Sequence, residues 1–440
     1  MRKISGKLDD DHLHYHGVDS AEKHLSVKEA LETFLGEIRT TKSETIGVYE
    51  ANGRVFFSDL TCPENLPRIA RSTRDGYAVK LTADDLGEIE NRTFIIIGEV
   101  RIGAVSKLII NSGQAAKVAT GSFVPRGANA VAMKEYSQVE DGRLKTTKNL
   151  KIGENILSPG EDLKKGELLF RAGTRLRPHH IALLSLLGVK KAKLFSRPRI
   201  AIFSTGDELQ DPFKSKKLDN AATFDSNRPF LSSIISELGA LPVDLGIARD
   251  NFDETKSKMM TGLKYDALIL SAGSSVGDRD YVSRAAESIK GMRMLVHGVA
   301  MRPSSPTGLA VYRGKPVVFL PGFPTSAIVS FYVFGRPSIL KLSGLSSTEF
   351  PTIRARLDED FDGKPGLTHF LRVKISREGE QFIAKIVRPT EAQYSSWLRE
   401  ANGIAILGAD GKTNAVRGDE VSVYLIDQVE ENNVQLAQIP

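Results

Sequence analysis

Cysteine is almost absent from this chain: of 440 residues, only Cys62 is one. A single thiol excludes an intrachain disulfide framework and a zinc ribbon, and it suits a reducing compartment. Long apolar runs are missing too. The longest, 181–189 and 327–334, fall far short of the roughly 20 residues a membrane-spanning helix needs. The opening Met-Arg-Lys-Ile-Ser-Gly-Lys, followed by Asp9, Asp10 and Asp11, lacks the apolar core of a signal peptide. The expectation is a soluble, cytoplasmic protein with no membrane partner. Nor is there much excess of one charge, since 60 basic against 54 acidic residues leave +6. So mild a surplus suits anionic small molecules as readily as nucleic acid. The one basic run, 190–199, comes without the aromatic-rich surface of a nucleic-acid reader, so no nucleic-acid partner is expected. Two nucleotide signatures are also missing. No G-x-G-x-x-G follows a strand, and Gly408-Ala-Asp-Gly-Lys-Thr413 has Ile406 where a P-loop needs its first glycine, so it reads as a hairpin turn.

What is present is ordinary globular composition, with 41% hydrophobic and 26% charged residues, over a length that suits two to four domains. The pattern divides the chain into a polar arm 1–24, a linker domain 25–79 plus 151–195, a β-rich domain 80–150, an α/β domain 196–345 and a C-terminal β domain 346–440. The arm holds His12, His14, His16 and His24. Alternate histidines share one face of an extended chain and could bind a metal, although a solvated arm explains them as well. Ser26 with Glu29 has capping-box spacing ahead of an apolar helical period. Residues 80–150 read as short strands at 95–97, 107–110, 115–119, 130–133 and 143–146. Pro178 and Gly188 bracket a helix. From Arg199, strands at 199–203, 242–247, 266–270, 294–299 and 316–320 alternate with helices at 227–238, 253–263, 281–289 and 325–334. That alternation implies a parallel sheet covered on both faces. Strands at 352–357, 369–375, 382–387, 403–407 and 420–426, with a helix at 393–400, suggest a small C-terminal β domain or barrel.

In open α/β sheets, ligands sit beyond the carboxyl ends of the strands. Four polar loops fall there. Thr205-Gly206-Asp207-Glu208 offers small residues whose N–H groups can face an anion, and carboxylates that suit Mg²⁺, but it also fits a plain turn. Ser271–Asp278 is a small, hydroxyl-rich loop ending in Asp278 and Asp280, a pattern for close backbone approach to phosphate beside a metal-binding carboxylate. Arg302-Pro303-Ser304-Ser305-Pro306 places a cation with bidentate capacity in a stiff loop. Pro321-Gly322-Phe323-Pro324 rigidifies the entry to a buried helix.

Together these segments resemble one family. The order Ser72-x-x-Asp75-Gly-Tyr-Ala, Thr120-Gly-x-x-x-Pro125-x-Gly127, Ser204-Thr-Gly-Asp-Glu-Leu209, Asp225-Ser-Asn227, Ser271–Asp278 and Leu320-Pro-Gly-x-Pro324 is similar to the molybdopterin molybdenumtransferases, the MoeA proteins and the gephyrin E domain. The similarity runs from about residue 25 to about 430. It implies an elongated homodimer with a Mog-like central α/β domain, a β-rich lid inserted in the linker domain, and a C-terminal β-barrel-like domain. The implied reaction takes adenylylated molybdopterin and molybdate, or tungstate, and with Mg²⁺ yields molybdenum cofactor and AMP. A contact with a molybdopterin adenylyltransferase is implied as well. The resemblance assigns catalytic roles to Asp75, Asp278, Glu208 and Arg302, with Asp278 and Glu208 on the metal. It assigns substrate contacts to Thr120, Thr205, Gly206, Asp225, Ser274, Ser275, Gly277, Ser305, Pro321 and Pro324. The sequence departs from the usual pattern in four places. Ser304-Ser305 stands for Gly-Lys, Ala272-Gly273 for Gly-Gly, Phe323 for Asn, and Tyr394-Ser395-Ser396 for Gly-Ser-Gly. The lost lysine removes one charge from the oxyanion side. It leaves open a second reading, a molybdopterin-binding or scaffold paralogue without turnover.

Overall fold

Strand Arg199–Thr205 reads Arg-Ile-Ala-Ile-Phe-Ser-Thr and buries every residue after Arg199. Successive side chains point to opposite faces, so an unbroken apolar run marks a strand covered on both sides. The computed structural model describes residues 24–82, 92–215, 217–218, 221–272 and 281–431. It divides into two compact units, Met1–Glu44 with Phe195–Pro440, and Thr45–Leu194.

In the first unit, Arg199–Thr205 lies in a six-stranded sheet of order Leu241–Ala248, Arg199–Thr205, Ala267–Ala272, Lys315–Pro321, Gly308–Tyr312 and Met292–His297. The first four strands are parallel, as the alternation implies. The edge differs: Gly308–Tyr312 runs antiparallel to both of its neighbours. The sequence reading contains no strand there. It turns back through Arg313 and Gly314, both at positive φ (53° and 82°). That two-residue turn matches the sheet's twist but lacks the usual Asn-Gly signature.

One face of the sheet packs Ile200, Ile202 and Ile269 against helices Val27–Gly36, Asn227–Glu237 and Pro324–Ser330. The other packs Ala201, Phe203 and Leu270 against Phe252–Gly262 and Tyr281–Glu287. Ser26 caps Val27–Gly36 through the expected box with Glu29. The helix expected at 325–334 runs further: Pro324–Ser330 passes through a π turn, Phe331–Gly335, into Arg336–Leu342. Pro337 lacks an N–H and crowds the carbonyl four residues back, and the wider turn absorbs both effects.

The C-terminal strands Thr368–Glu378, Gln381–Ile386, Thr352–Leu357, Glu420–Leu425 and Gly403–Leu407 follow one another and close, because the last pairs back on the first. This is a five-stranded barrel around Leu357, Leu371, Val373, Ile375 and Val423. Met301–Arg302 adds a parallel strand at Thr368 and His369, so the loop after Met292–His297 is sewn to the barrel. The expected helix at 393–400 is only a 3₁₀ turn, Ser396–Arg399. There Trp397 points inward and its Nε1 donates to Thr325 Oγ1 at 2.7 Å, so a tertiary anchor replaces a helical period.

In the second unit, six strands order as Ala130–Met133, Gly76–Val79, Gln114–Val118, Thr93–Val100, Arg143–Thr146 and Ser137–Glu140. Gly76–Val79 lies inside this sheet. A Cβ at Gly76 would stand 1.9 Å from the Ala132 carbonyl oxygen, so only glycine fits. The strand expected at 107–110 is not formed. Ser106 Oγ accepts from Leu108 N and bends the chain, leaving an isolated bridge between Ile109 and Arg126. Among the described residues, no helix is long and apolar enough to cross a membrane.

Candidate functional site

The carboxyl end of Arg199–Thr205 carries the first cluster. Thr205 is buried, and Gly206 turns the chain with its N–H on Ala248 O at 3.2 Å. Leu209 N then donates to Gly206 O. The Glu208 carboxylate folds back over this turn, so that a Cβ at Gly206 would stand 2.7 Å from its Oε2. Glu208 is exposed, and no side chain among the described residues bonds to it. Asp207 and Asp250 beside it each donate a backbone N–H to the other's carboxylate, and Asp207 Oδ1 faces Arg249 Nη1 at 3.9 Å.

Asn227 ties the next two loops together. Its Nδ2 donates to Ser271 Oγ at 2.6 Å and to Gly322 O at 2.8 Å, and Ser271 Oγ reaches Pro321 O at 3.3 Å. Pro321 is buried, Pro324 half-buried and Phe323 54% exposed, so the loop presents an aromatic ring to solvent. Thr325 continues the line to the barrel by donating to Tyr394 O.

Arg302 is exposed beside the barrel strand, next to buried His369. Burial pushes His369 below its usual pKa, the Lys364 carbonyl opposes this, and the Arg302 charge adds to the lowering. Ser304 adopts a left-handed φ of 90° and is held by its Oγ on Ser326 O at 2.8 Å. Ser305 donates to Val299 O at 3.1 Å and lies 3.5 Å from His24 Nδ1.

Asp225 is placed differently from the outward Glu208. It is 2% exposed; Oδ1 accepts from the N–H groups of Asn227 and Arg228, and Oδ2 from Arg228 Nε at 2.6 Å. Burial alone would lower the Arg228 pKa, but hydrogen bonds to Asp244, Asp225 and Asp211 outweigh it and raise the value. Ser274, Ser275, Gly277 and Asp278, like His12, His14 and His16, lie outside the described residues.

The second unit brings Asp75 and Thr120 together. Thr120 donates to Asp75 Oδ1 from its N–H (2.7 Å) and its hydroxyl (3.0 Å), and Lys134 Nζ stands 3.4 Å from Oδ2. The Thr120 N–H first, then its hydroxyl and Lys134, hold the Asp75 carboxyl below its usual range. Sequence reasoning gave no site role to Lys134, Ser271, Asn227 or Arg228. Ser271 and Asn227 are letters of recognised motifs and Arg228 adjoins one, which is the signal that could have found them.

An exposed carboxylate without a side-chain partner, at the mouth of a parallel sheet, suits a hard cation that is shared with a phosphate. Among the described residues, no group of three or more His, Cys, Asp or Glu could hold a metal by itself. Chemically the arrangement can hold an anionic ligand between small-residue loops, with cations at its rim.

Comparison with known proteins gives this geometry a family. The model for the MoeA N-terminal region (domains I and II) matches residues 25–188, the probable molybdopterin-binding domain matches 201–341, and the MoeA C-terminal region (domain IV) matches 354–426. A molybdopterin molybdenumtransferase of Staphylococcus epidermidis is 30% identical over 355 residues, covering 80% of this chain and 83% of that one. One from a Nostoc species is 32% identical, covering 73% and 75%. The crystal structure of a molybdopterin biosynthesis MoeA protein from Pyrococcus horikoshii superposes with a TM-score of 0.78 at 29% identity, over 92% of this chain and all of that one. The outward Glu208 turn, the Asn227-tied loops and the Asp75–Thr120 pair thus stand on a shared architecture, and the chain belongs to the MoeA family of molybdopterin molybdenumtransferases.

Proposed function

We propose that this protein inserts molybdate or tungstate into adenylylated molybdopterin and releases AMP, as a step in molybdenum cofactor biosynthesis. The observation that carries the reading is Glu208: an exposed acid without a side-chain partner among the described residues, on a glycine turn at the carboxyl end of the sheet. Such an acid repels anionic substrates unless a cation offsets it. Mg²⁺ fits the donor set, because it binds through one or two carboxylates plus substrate phosphate rather than through an all-protein cage. Glu208 and Asp278 would hold it, and its chemistry there is to neutralise phosphate charge and polarise the phosphoanhydride.

The protein's own groups do the rest. Thr205, Gly206 and the 274–277 segment offer backbone and hydroxyl donors to phosphate. Pro321 and Pro324 stiffen the wall of the site, and Arg302 stabilises negative charge on the AMP that leaves as an oxygen of water or of the oxyanion bonds to phosphorus and the phosphoanhydride P–O bond breaks. Asp75, kept ionised by Thr120, orients the substrate from the lid. We assign the working form to a homodimer in which one protomer's lid serves the other's α/β domain. It receives its substrate from a molybdopterin adenylyltransferase in a reducing cytoplasm, which suits a chain with one cysteine.

Ser305 favours the second reading. Its hydroxyl is spent on Val299 O and supplies no charge where the family's usual pattern has lysine. In a binding paralogue, tight pterin binding persists without turnover. Oxyanion-stimulated AMP release supports the transferase; tight binding with no release supports the paralogue.

A further inference from the structure

Two adjacent residues at the start of helix Asn227–Glu237 reach the end of Ala267–Ala272, the Pro321–Pro324 loop and the ribbon that follows Glu208. Asn227 is 7% exposed and spends both hydrogens of its amide on Ser271 Oγ and Gly322 O. Arg228 is 3% exposed and spreads its guanidinium over three acids: Asp225 Oδ2 at 2.6 Å from Nε, Asp244 Oδ2 at 2.6 Å from Nη1, and Asp211 Oδ2 at 3.0 Å from Nη2. Asp211 and Asp225 each directly follow one strand of a small parallel ribbon, Leu209–Gln210 with Thr223–Phe224. That ribbon begins at Glu208, whose carbonyl accepts from Thr223 N at 2.8 Å. Asp225 also receives the N–H groups of Asn227 and Arg228, so it caps the helix in place of Ser226, which makes no side-chain cap bond.

We propose that Asn227 and Arg228 are positioning residues, a clasp that holds the Glu208 turn, the end of Ala267–Ala272 and the Pro321–Pro324 loop in mutual register, with Asp225 serving Arg228 rather than substrate. Three carboxylates around one buried guanidinium leave excess negative charge, so the ribbon is held only while the planar fork is present. A lysine brings the same charge as a single point and cannot span three acids. Among the described residues, Asn227 joins Ser271 and Gly322 from outside the sheet, adding to the strand pairing that ends at Ala272 and Pro321, so its loss loosens the loop ends without unseating the sheet. The clasp rests on the proposed function only for its catalytic consequence; the register itself is independent of the reaction.

The test uses the full chain with Asn227→Ala, Arg228→Lys and the milder Asp244→Asn, whose carboxylate is half exposed. Amide hydrogen exchange is read by mass spectrometry on peptides covering 206–211, 223–225 and 321–323, with the barrel strand Thr352–Leu357 as control. AMP release is measured alongside. Exchange in the loop peptides should rise about tenfold while the barrel peptide is unchanged. The kcat should fall about 10- to 100-fold with the KM for adenylylated molybdopterin held within about twofold, as expected when bound groups are misplaced rather than lost. Unchanged exchange in the loop peptides of all three variants overturns the clasp. So does a rise shared by the barrel peptide, which marks general destabilisation, or a kcat equal to that of the unaltered protein. If the unaltered protein releases no AMP, the proposed function fails, and the exchange data still decide the clasp.

Discussion

Glu208 and Asp225 are acids seventeen residues apart in sequence, and the fold uses them in opposite ways. Glu208 is exposed and without a side-chain partner among the described residues; Asp225 is enclosed with both oxygens occupied. Their replacements should therefore fail differently. Glu208→Gln should leave the thermal midpoint unchanged and lower AMP release by about 100-fold, the scale of losing one charged group from a reacting site. Asp225→Asn leaves Arg228 short of a buried counter-charge and should cost about 3–5 kcal/mol in denaturant unfolding. A Glu208→Gln protein that keeps its rate, or an Asp225→Asn protein that keeps its stability, contradicts these assignments. Both acids were visible in the sequence as motif members. Which one faces outward was not, because that is decided by Arg228 and by Asp211 and Asp244, which gather from distant positions. Asn227 was likewise visible as a motif letter, but its bond to Gly322 spans 95 residues and leaves no local signal.

Elements were easier to read than contacts. Three of the four parallel strands of the α/β sheet announced themselves as apolar runs, Leu241–Ala248 being interrupted by Asp244, and the box at Ser26 marked its helix. What escaped were features set by partners: the antiparallel strand Gly308–Tyr312, whose turn lacks Asn-Gly, and which two strands close the expected barrel, Gly403–Leu407 and Thr368–Glu378. Two predictions belong at this scale. Gly76→Ala drives a Cβ against the Ala132 carbonyl, which is backbone and cannot swing aside. The central lid strand should separate from Ala130–Met133, with a loss of about 3 kcal/mol. Unfolding midpoints equal to wild type would exclude this crowding. His369, inside barrel strand Thr368–Glu378, has its pKa lowered by burial in the folded state, so the unfolded chain binds its proton more readily. Stability is then fully present above the ordinary histidine value of 6.5 and declines as pH falls below it, until the lowered folded value is reached. The slope should be at most about 1.4 kcal/mol per pH unit for one proton, and His369→Gln should flatten it. An unchanged slope in that variant would assign the dependence to another group.

At the scale of the whole molecule, Glu208 and Asp75 belong to different compact units. If the lid of one protomer serves the α/β domain of its partner, Glu208→Gln and Asp75→Asn chains, each nearly inactive alone, complement each other. Mixed and allowed to exchange subunits, they should recover about a quarter of the wild-type rate, since one intact site forms in each mixed dimer and half of the dimers are mixed. Recovery of nothing beyond the sum of the two parents would place both acids in one chain's site. The family was legible in the ordered motifs, while the metal preference was not, because molybdate and tungstate are nearly equal in size and charge. The most direct measurement is AMP release by the unaltered protein from adenylylated molybdopterin with Mg²⁺, with molybdate, with tungstate and with neither. The account predicts release that rises on adding one of the oxyanions and is lost in Glu208→Gln. Tight pterin binding with no release under any of the three conditions would contradict it and make this protein a binding paralogue.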